Sequence, residues 1–142
     1  MNKQGAIIVI EDDKDDREIL QSVFDALDVK NEIKFFADGA EALDYLNDFT
    51  VQPFLILSDV NLPKISGLEL KKIVQKNPMG RLRRIPFIFF TTSPDKNDLR
   101  EAYSTSVQGF FTKPGNYEHL KEIMKTILHY WQECESPEYM ND

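Results

Sequence analysis

Glu11-Asp12-Asp13 follows directly on the apolar run "AIIVI" (6–10), and Asp59 follows directly on a second one, "FLILS" (54–58). Carboxylates at the ends of runs that read as buried strands need a reason. Like charges drawn together raise one another's pKa and destabilise the fold unless a cation neutralises them. Oxygen-only ligands on a rigid sheet edge, with room for water, suit Mg²⁺. Capping of a following helix, whose N-terminus favours negative charge, accounts for Asp13 and Asp15. It does not account for Asp59, which leads into "VNLPKISG", a loop rather than a helix start. Two more runs deliver polar groups: one ends at Thr91-Thr92-Ser93 and the other at Thr112-Lys113-Pro114. A metal, an ammonium and a hydroxyl around one carboxylate are what phosphoryl transfer to that carboxylate requires. The cations neutralise the transferring oxygens, and the hydroxyl bonds the group once it is bound.

Such a rim needs several strand ends on one side of one sheet. Besides the two runs above, the chain carries "EIKFFA" (32–37), "IPFIFF" (85–90) and "VQGFFT" (107–112). Segments of helical period separate them. Ile19, Leu20, Val23, Phe24 and Leu27 form one stripe; Leu99, Ala102 and Tyr103 form another. The strongest runs through Leu120, Ile123, Met124, Ile127, Leu128 and Trp131. Segments 38–48 and 67–77 fit shorter helices, the second halted at Asn77-Pro78. Five β/α units predict an α/β fold, a doubly wound parallel sheet of five strands covered by five helices. The first, third and fourth runs are uninterrupted and suit central strands. The second and fifth contain Lys34, Gln108 and Gly109 and suit edges. Strand order 2-1-3-4-5 satisfies this and puts the switch point between strands 1 and 3, beside the acids.

Composition bounds the function. The chain has 142 residues, 42% hydrophobic and 29% charged, as expected of one soluble domain. Lys plus Arg number 17 against 24 acidic residues, a net charge of −7 that argues against a sequence-independent grip on nucleic acid. The single Cys134 excludes an internal disulfide and fits a reducing cytoplasm. No apolar stretch approaches the roughly 18 residues of a membrane span, so a cytoplasmic protein without membrane attachment is expected. The loop "PMGRLRR" (78–84) gathers Arg81, Arg83 and Arg84, read as solvated residues or as a partner contact. His119 and His129, on the last helix, read as surface residues.

The motifs "VIEDD" (9–13), "LSDVNLPKISGLEL" (57–70), "FFTTS" (89–93) and "FFTKP" (110–114) resemble, in order and spacing, the receiver domain of two-component response regulators. The resemblance runs from about residue 5 to residue 133, with a receiver domain over 1–134 and a short tail over 135–142. A chemotaxis member of this family shows the order 2-1-3-4-5, so that order follows from the resemblance as much as from patterning. By the resemblance Asp59 is the phospho-acceptor, and Glu11 and Asp12 form the acid pair. Asp59 and the Asn61 backbone carbonyl join that pair around Mg²⁺. Thr91 is the switch hydroxyl, Lys113 the phosphate partner, and Phe110 the switch aromatic. A cis Lys113–Pro114 bond is implied as well. Glu11 stands where aspartate is commoner and, one methylene longer, reaches the metal through water; Thr92 stands where a smaller residue is common and narrows access. Gly67 lets the loop turn into the next helix.

The expected function is a stand-alone receiver. It takes a phosphoryl group from a sensor histidine kinase or phosphotransfer protein and signals to a downstream protein. It is a signalling domain that catalyses only its own phosphorylation and dephosphorylation. The alternative is a receiver-like binding module that works without phosphorylation. A flavin-binding domain would need a Ser/Thr/Gly-rich loop where "EDDKDD" stands, and no P-loop sequence occurs. Readout is expected on the face made by the fourth helix, fifth strand and fifth helix. There "TTS" and "YW" also resemble small regulators that partner phytochrome-type kinases, some of which form homodimers.

Overall fold

Each of the five apolar runs forms a strand in the computed structural model, which describes residues 1–77 and 80–136. In chain order the elements are β1 (Ile7–Ile10), α1 (Lys14–Ala26), β2 (Ile33–Phe36), α2 (Gly39–Leu46), β3 (Leu55–Ser58) and α3 (Gly67–Gln75). A 3₁₀ turn (Leu82–Arg84), β4 (Phe87–Thr91), α4 (Lys96–Ser104), β5 (Gly109–Thr112) and α5 (Tyr117–Glu133) follow. The sheet is parallel throughout, in the order β2-β1-β3-β4-β5. β1 and β3 are buried along their whole length, whereas β2 and β5 are only half-buried, as edge strands should be.

Alternation along the strands divides the core into two layers. Ile8, Ile10, Ile56, Phe87 and Phe89 face α2, α3 and α4. Ile7, Val9, Leu55, Leu57, Ile88 and Phe90 face α1 and α5. On β5 the same period sends Phe110 to the first layer and Phe111 to the second, where it stacks on Phe90 with ring centroids 5.6 Å apart. All five helices begin on a side-chain cap: Asp13, Asp38, Ser66, Asp95 and Asn116 each accept the N–H three residues on. Those caps fix where each loop at the strand C-terminal ends stops. Among the described residues no helix is long and apolar enough to cross a membrane.

Several sequence expectations fail in detail. Ile19 belongs by period to the α1 stripe but is 43% exposed, because α1 buries only Leu20, Val23 and Phe24. On α4, Ala102 alone is buried and Tyr103 points to solvent. Arg81 is half-buried rather than solvated. Its guanidinium donates to the Leu46 carbonyl at 2.5 Å and the Val51 carbonyl at 3.2 Å, over the Phe49 ring. Arg83 and Arg84 are exposed, and Pro78 and Met79 lie outside the described residues. None of the described peptide bonds is cis, so the expected cis Lys113–Pro114 bond is wrong. Trans is the favoured X–Pro isomer by roughly 0.5–1 kcal/mol, and from it Lys113 already reaches the acids.

Candidate functional site

The ends of β1 and β3 lie side by side because their registers pair Ile10 with Ser58. The backbone continues that pairing: Asp59 N–H donates to the Ile10 carbonyl at 3.0 Å, and Glu11 N–H donates to the Phe36 carbonyl at 2.9 Å. Glu11, Asp12 and Asp59 are thereby aimed at one point. One carboxylate oxygen from each lies within 4.8 Å of the others. Glu11 is buried, Asp59 half-buried and Asp12 exposed, so the cluster opens to water on one side. Three acids on a rigid edge with a wet side suit a hydrated, oxygen-seeking divalent ion, and these residues fit Mg²⁺.

Asp59 is held by its own turn. Val60 N–H donates to Oδ1 at 2.7 Å and Asn61 N–H at 3.3 Å, leaving Oδ2 to face Lys113 Nζ at 3.3 Å. Lys113 arrives from the end of β5, with its N–H bonded to the Thr91 carbonyl at 2.8 Å. Thr91 itself is buried at the end of β4, while Thr92 is exposed and bounds the rim from outside. Asn61 is at the rim through its N–H. Phe110 is half-buried on the α4 side, 5.7 Å from Phe89 between centroids. Six of the seven expected residues thus lie at the C-terminal ends of the strands or in the loops just past them, while Phe110 stands further back, as the second residue of β5 opposite Phe89.

Electrostatics tie these groups into one unit. Glu11 carries most of the strain: burial pushes its carboxyl up to about 7, although the Lys113 hydrogen bond and charge pull it back down. Burial works against the Lys113 ammonium too, but Glu11, Asp59 and Asp16 outweigh it and hold its pKa above the usual lysine value. Lys113 is ion-paired to Glu11 and lies 3.1 Å from Asp16. Sequence reasoning missed Asp16. Its signal was its place in the first turn of α1, three residues beyond Asp13, whose side chain caps its N–H.

Gly67 has a sharper role than a turn. A Cβ there would lie 2.1 Å from the Asp59 carbonyl oxygen and 3.0 Å from Phe89 Cε1, and its φ is not one that only glycine adopts. The start of α3 therefore packs directly against the backbone of the acceptor residue, and Gly67 N–H donates to the Val60 carbonyl at 2.9 Å. Gly67→Ala is expected to lose roughly 1–3 kcal/mol of stability, the usual range for overpacking. It is also expected to weaken Mg²⁺ binding, since the Asp59 turn must shift. Urea unfolding and calorimetric Mg²⁺ titration check both. Unchanged metal affinity with lowered stability would confine the glycine to packing.

The model of the response regulator receiver domain family matches residues 7–125. A probable methanogenesis regulatory protein, FilR2 of Methanothrix harundinacea, is 34% identical over 129 residues, covering 88% of this chain and 82% of that protein. Response regulator Rcp1 of Synechocystis sp. is 31% identical over 137 residues, covering 93% and 92%. The Mn²⁺-bound crystal structure of Rcp1 superposes with a TM-score of 0.80 at 31% identity, over 93% of this chain and 97% of that one. The phosphorylated cyanobacterial phytochrome response regulator RcpA superposes with a TM-score of 0.83 at 31% identity, over 94% and 97%.

Proposed function

The chain belongs to the response regulator receiver family, and from that premise we propose that Asp59 accepts a phosphoryl group from a phosphohistidine in a Mg²⁺-dependent reaction. The observation that carries this reading is the meeting of three carboxylates with one ammonium: acid oxygens within 4.8 Å of one another, and Lys113 Nζ 3.3 Å from Asp59 Oδ2. When bound, Mg²⁺ offsets the negative charge shared by the acids and the incoming phosphoryl oxygens. Glu11, Asp12, Asp59 and the Asn61 carbonyl would hold it. The Asp59 carboxylate forms the new O–P bond as the donor's N–P bond breaks, and the histidine leaves with the nitrogen lone pair. Val60 N–H fixes Oδ1 so that the carboxylate meets phosphorus in one orientation. Lys113 is placed to neutralise a phosphoryl oxygen. The donor would be a sensor histidine kinase or a phosphotransfer protein, and the setting the cytoplasm. Phosphotransfer profiling against the purified histidine kinases of the source organism tests the reading: rapid, selective transfer to Asp59 is expected, and no transfer from any kinase overturns it.

The readout we propose begins at Thr91. A phosphoryl group on Asp59 draws the Thr91 hydroxyl toward it. The space vacated at the end of β4 admits Phe110, which already sits half-buried against Phe89. The α4–β5–α5 face changes shape in consequence, by a shift of only a few kcal/mol between two arrangements. That face carries exposed Tyr103 and Tyr130. It also carries a groove of about 410 Å³ lined in part by Phe111, Ile127 and Trp131. We place a homodimer contact there. Sedimentation with beryllofluoride is expected to show dimers that Tyr130→Ala weakens. A monomer under all conditions at high concentration removes the dimer and leaves the switch standing.

A further inference from the structure

A second basic feature lies at the opposite end of the sheet from Asp59. A groove of about 140 Å³ opens between the α2–β3 loop and the 3₁₀ turn, lined by Met1, Phe49, Pro53, Arg81, Arg84 and Ile85. Its lining combines apolar side chains with two arginines, in a protein whose net charge is −7. Arg81 spends its two terminal nitrogens on the Leu46 and Val51 carbonyls, and its Nε is buried with no acceptor. Arg84 is exposed, and no acid among the described residues pairs with it.

The chain itself runs to this place. After α5 the backbone turns extended at Cys134, and the buried Ser136 hydroxyl donates to the Met1 carbonyl. Met1 is part of the groove wall. Residues 137–142, "PEYMND", lie outside the described residues and follow directly on Ser136 in the chain. Six residues reach about 20 Å when extended, ample to cross it. They bring two carboxylates, Glu138 and Asp142, and two large apolar side chains, Tyr139 and Met140, with no basic residue. Acid meets arginine and apolar meets apolar.

We propose that this groove is a docking site for an acidic, aromatic peptide segment, and that its occupant is the chain's own residues 138–142. The segment joins the end of α5 to the loops before β3 and β4. It is independent of phosphorylation, since the groove lies at the N-terminal ends of the strands and Asp59 at the other.

Hydrogen exchange read by mass spectrometry on the full chain tests this. The backbone amides of 138–142 are expected to exchange at least about tenfold slower than in a free peptide, independent of protein concentration and unchanged in Asp59→Asn. Arg84→Glu is expected to abolish that protection, as is Glu138→Lys, and the double variant to regain a large part of it. Free-peptide exchange in the unmodified chain overturns the proposal. So does protection that survives Arg84→Glu, which places the segment elsewhere, for example over the groove beside Lys30 and Lys125. Protection that grows with protein concentration also overturns it, because the occupant is then a second copy's segment.

Discussion

Asp59→Asn is expected to reduce phosphoryl uptake from acetyl phosphate to background while the fold stays intact. The amide is nearly isosteric, so its oxygen keeps the Val60 N–H bond that fixes the turn. What disappears is the nucleophile: an amide oxygen carries no charge to form the O–P bond, and the ion pair with Lys113 is lost. Removing one negative charge from a crowded cluster also relieves repulsion, so the variant should be at least as stable as the parent without Mg²⁺ and bind Mg²⁺ more weakly. Intact-mass measurement after incubation with acetyl phosphate, with Mg²⁺ and with a chelator, reads the first effect. Thermal melts under the same two conditions read the second. Undiminished uptake in the variant would move the acceptor to another side chain.

Much of this was legible from residue order alone, and the reason is physical. A central parallel strand must be apolar on both faces, so "AIIVI" and "FLILS" announced themselves, and a charge directly after such a run has few structural excuses. Edge strands were legible through Lys34 and Gln108 for the same reason. What stayed hidden depends on distances that no spacing encodes. Gly67 looks like any loop glycine until the Asp59 carbonyl is found against it. Asp16 looks like a first-turn helix acid until Lys113 is found 3.1 Å away. Arg81 sits in a run of basic residues that reads as solvated, yet it clamps carbonyls 30 and 35 positions earlier. Ile19 obeys the helical period but falls on the margin of the stripe, where α1 turns away from α5 and the sheet. The cis bond came from the resemblance alone, and there the local preference for trans prevails.

Lys113→Ala is the most destabilising single change expected at the site, about 3 kcal/mol near neutral pH, because it strands a buried carboxylate. Glu11 is 2% exposed, and Lys113 is the one ammonium among the described residues that pairs with it. The sign of the pH dependence follows from the Glu11 carboxyl. Its folded pKa of about 7 stands above the ordinary 4.5, so between those values the folded protein binds more protons than the unfolded chain. Stability therefore falls as pH rises through that window and levels off above it. Lys113 is raised, so its contribution is complete below the ordinary lysine value and is lost only at strongly alkaline pH. Without the ammonium, the two larger influences that lower Glu11 vanish and only the Asp13 N–H remains, so its pKa climbs further and the falling window extends upward. The gap between parent and variant should then be small near pH 5 and wide at pH 8. Mg²⁺ supplies positive charge at the same oxygens, so it should narrow the gap at pH 8 and a chelator should restore it. Urea unfolding at the two pH values, with and without Mg²⁺, decides the matter. An equal loss at pH 5 and pH 8 would mean that Lys113 stabilises the rim by packing its stem, not by neutralising Glu11.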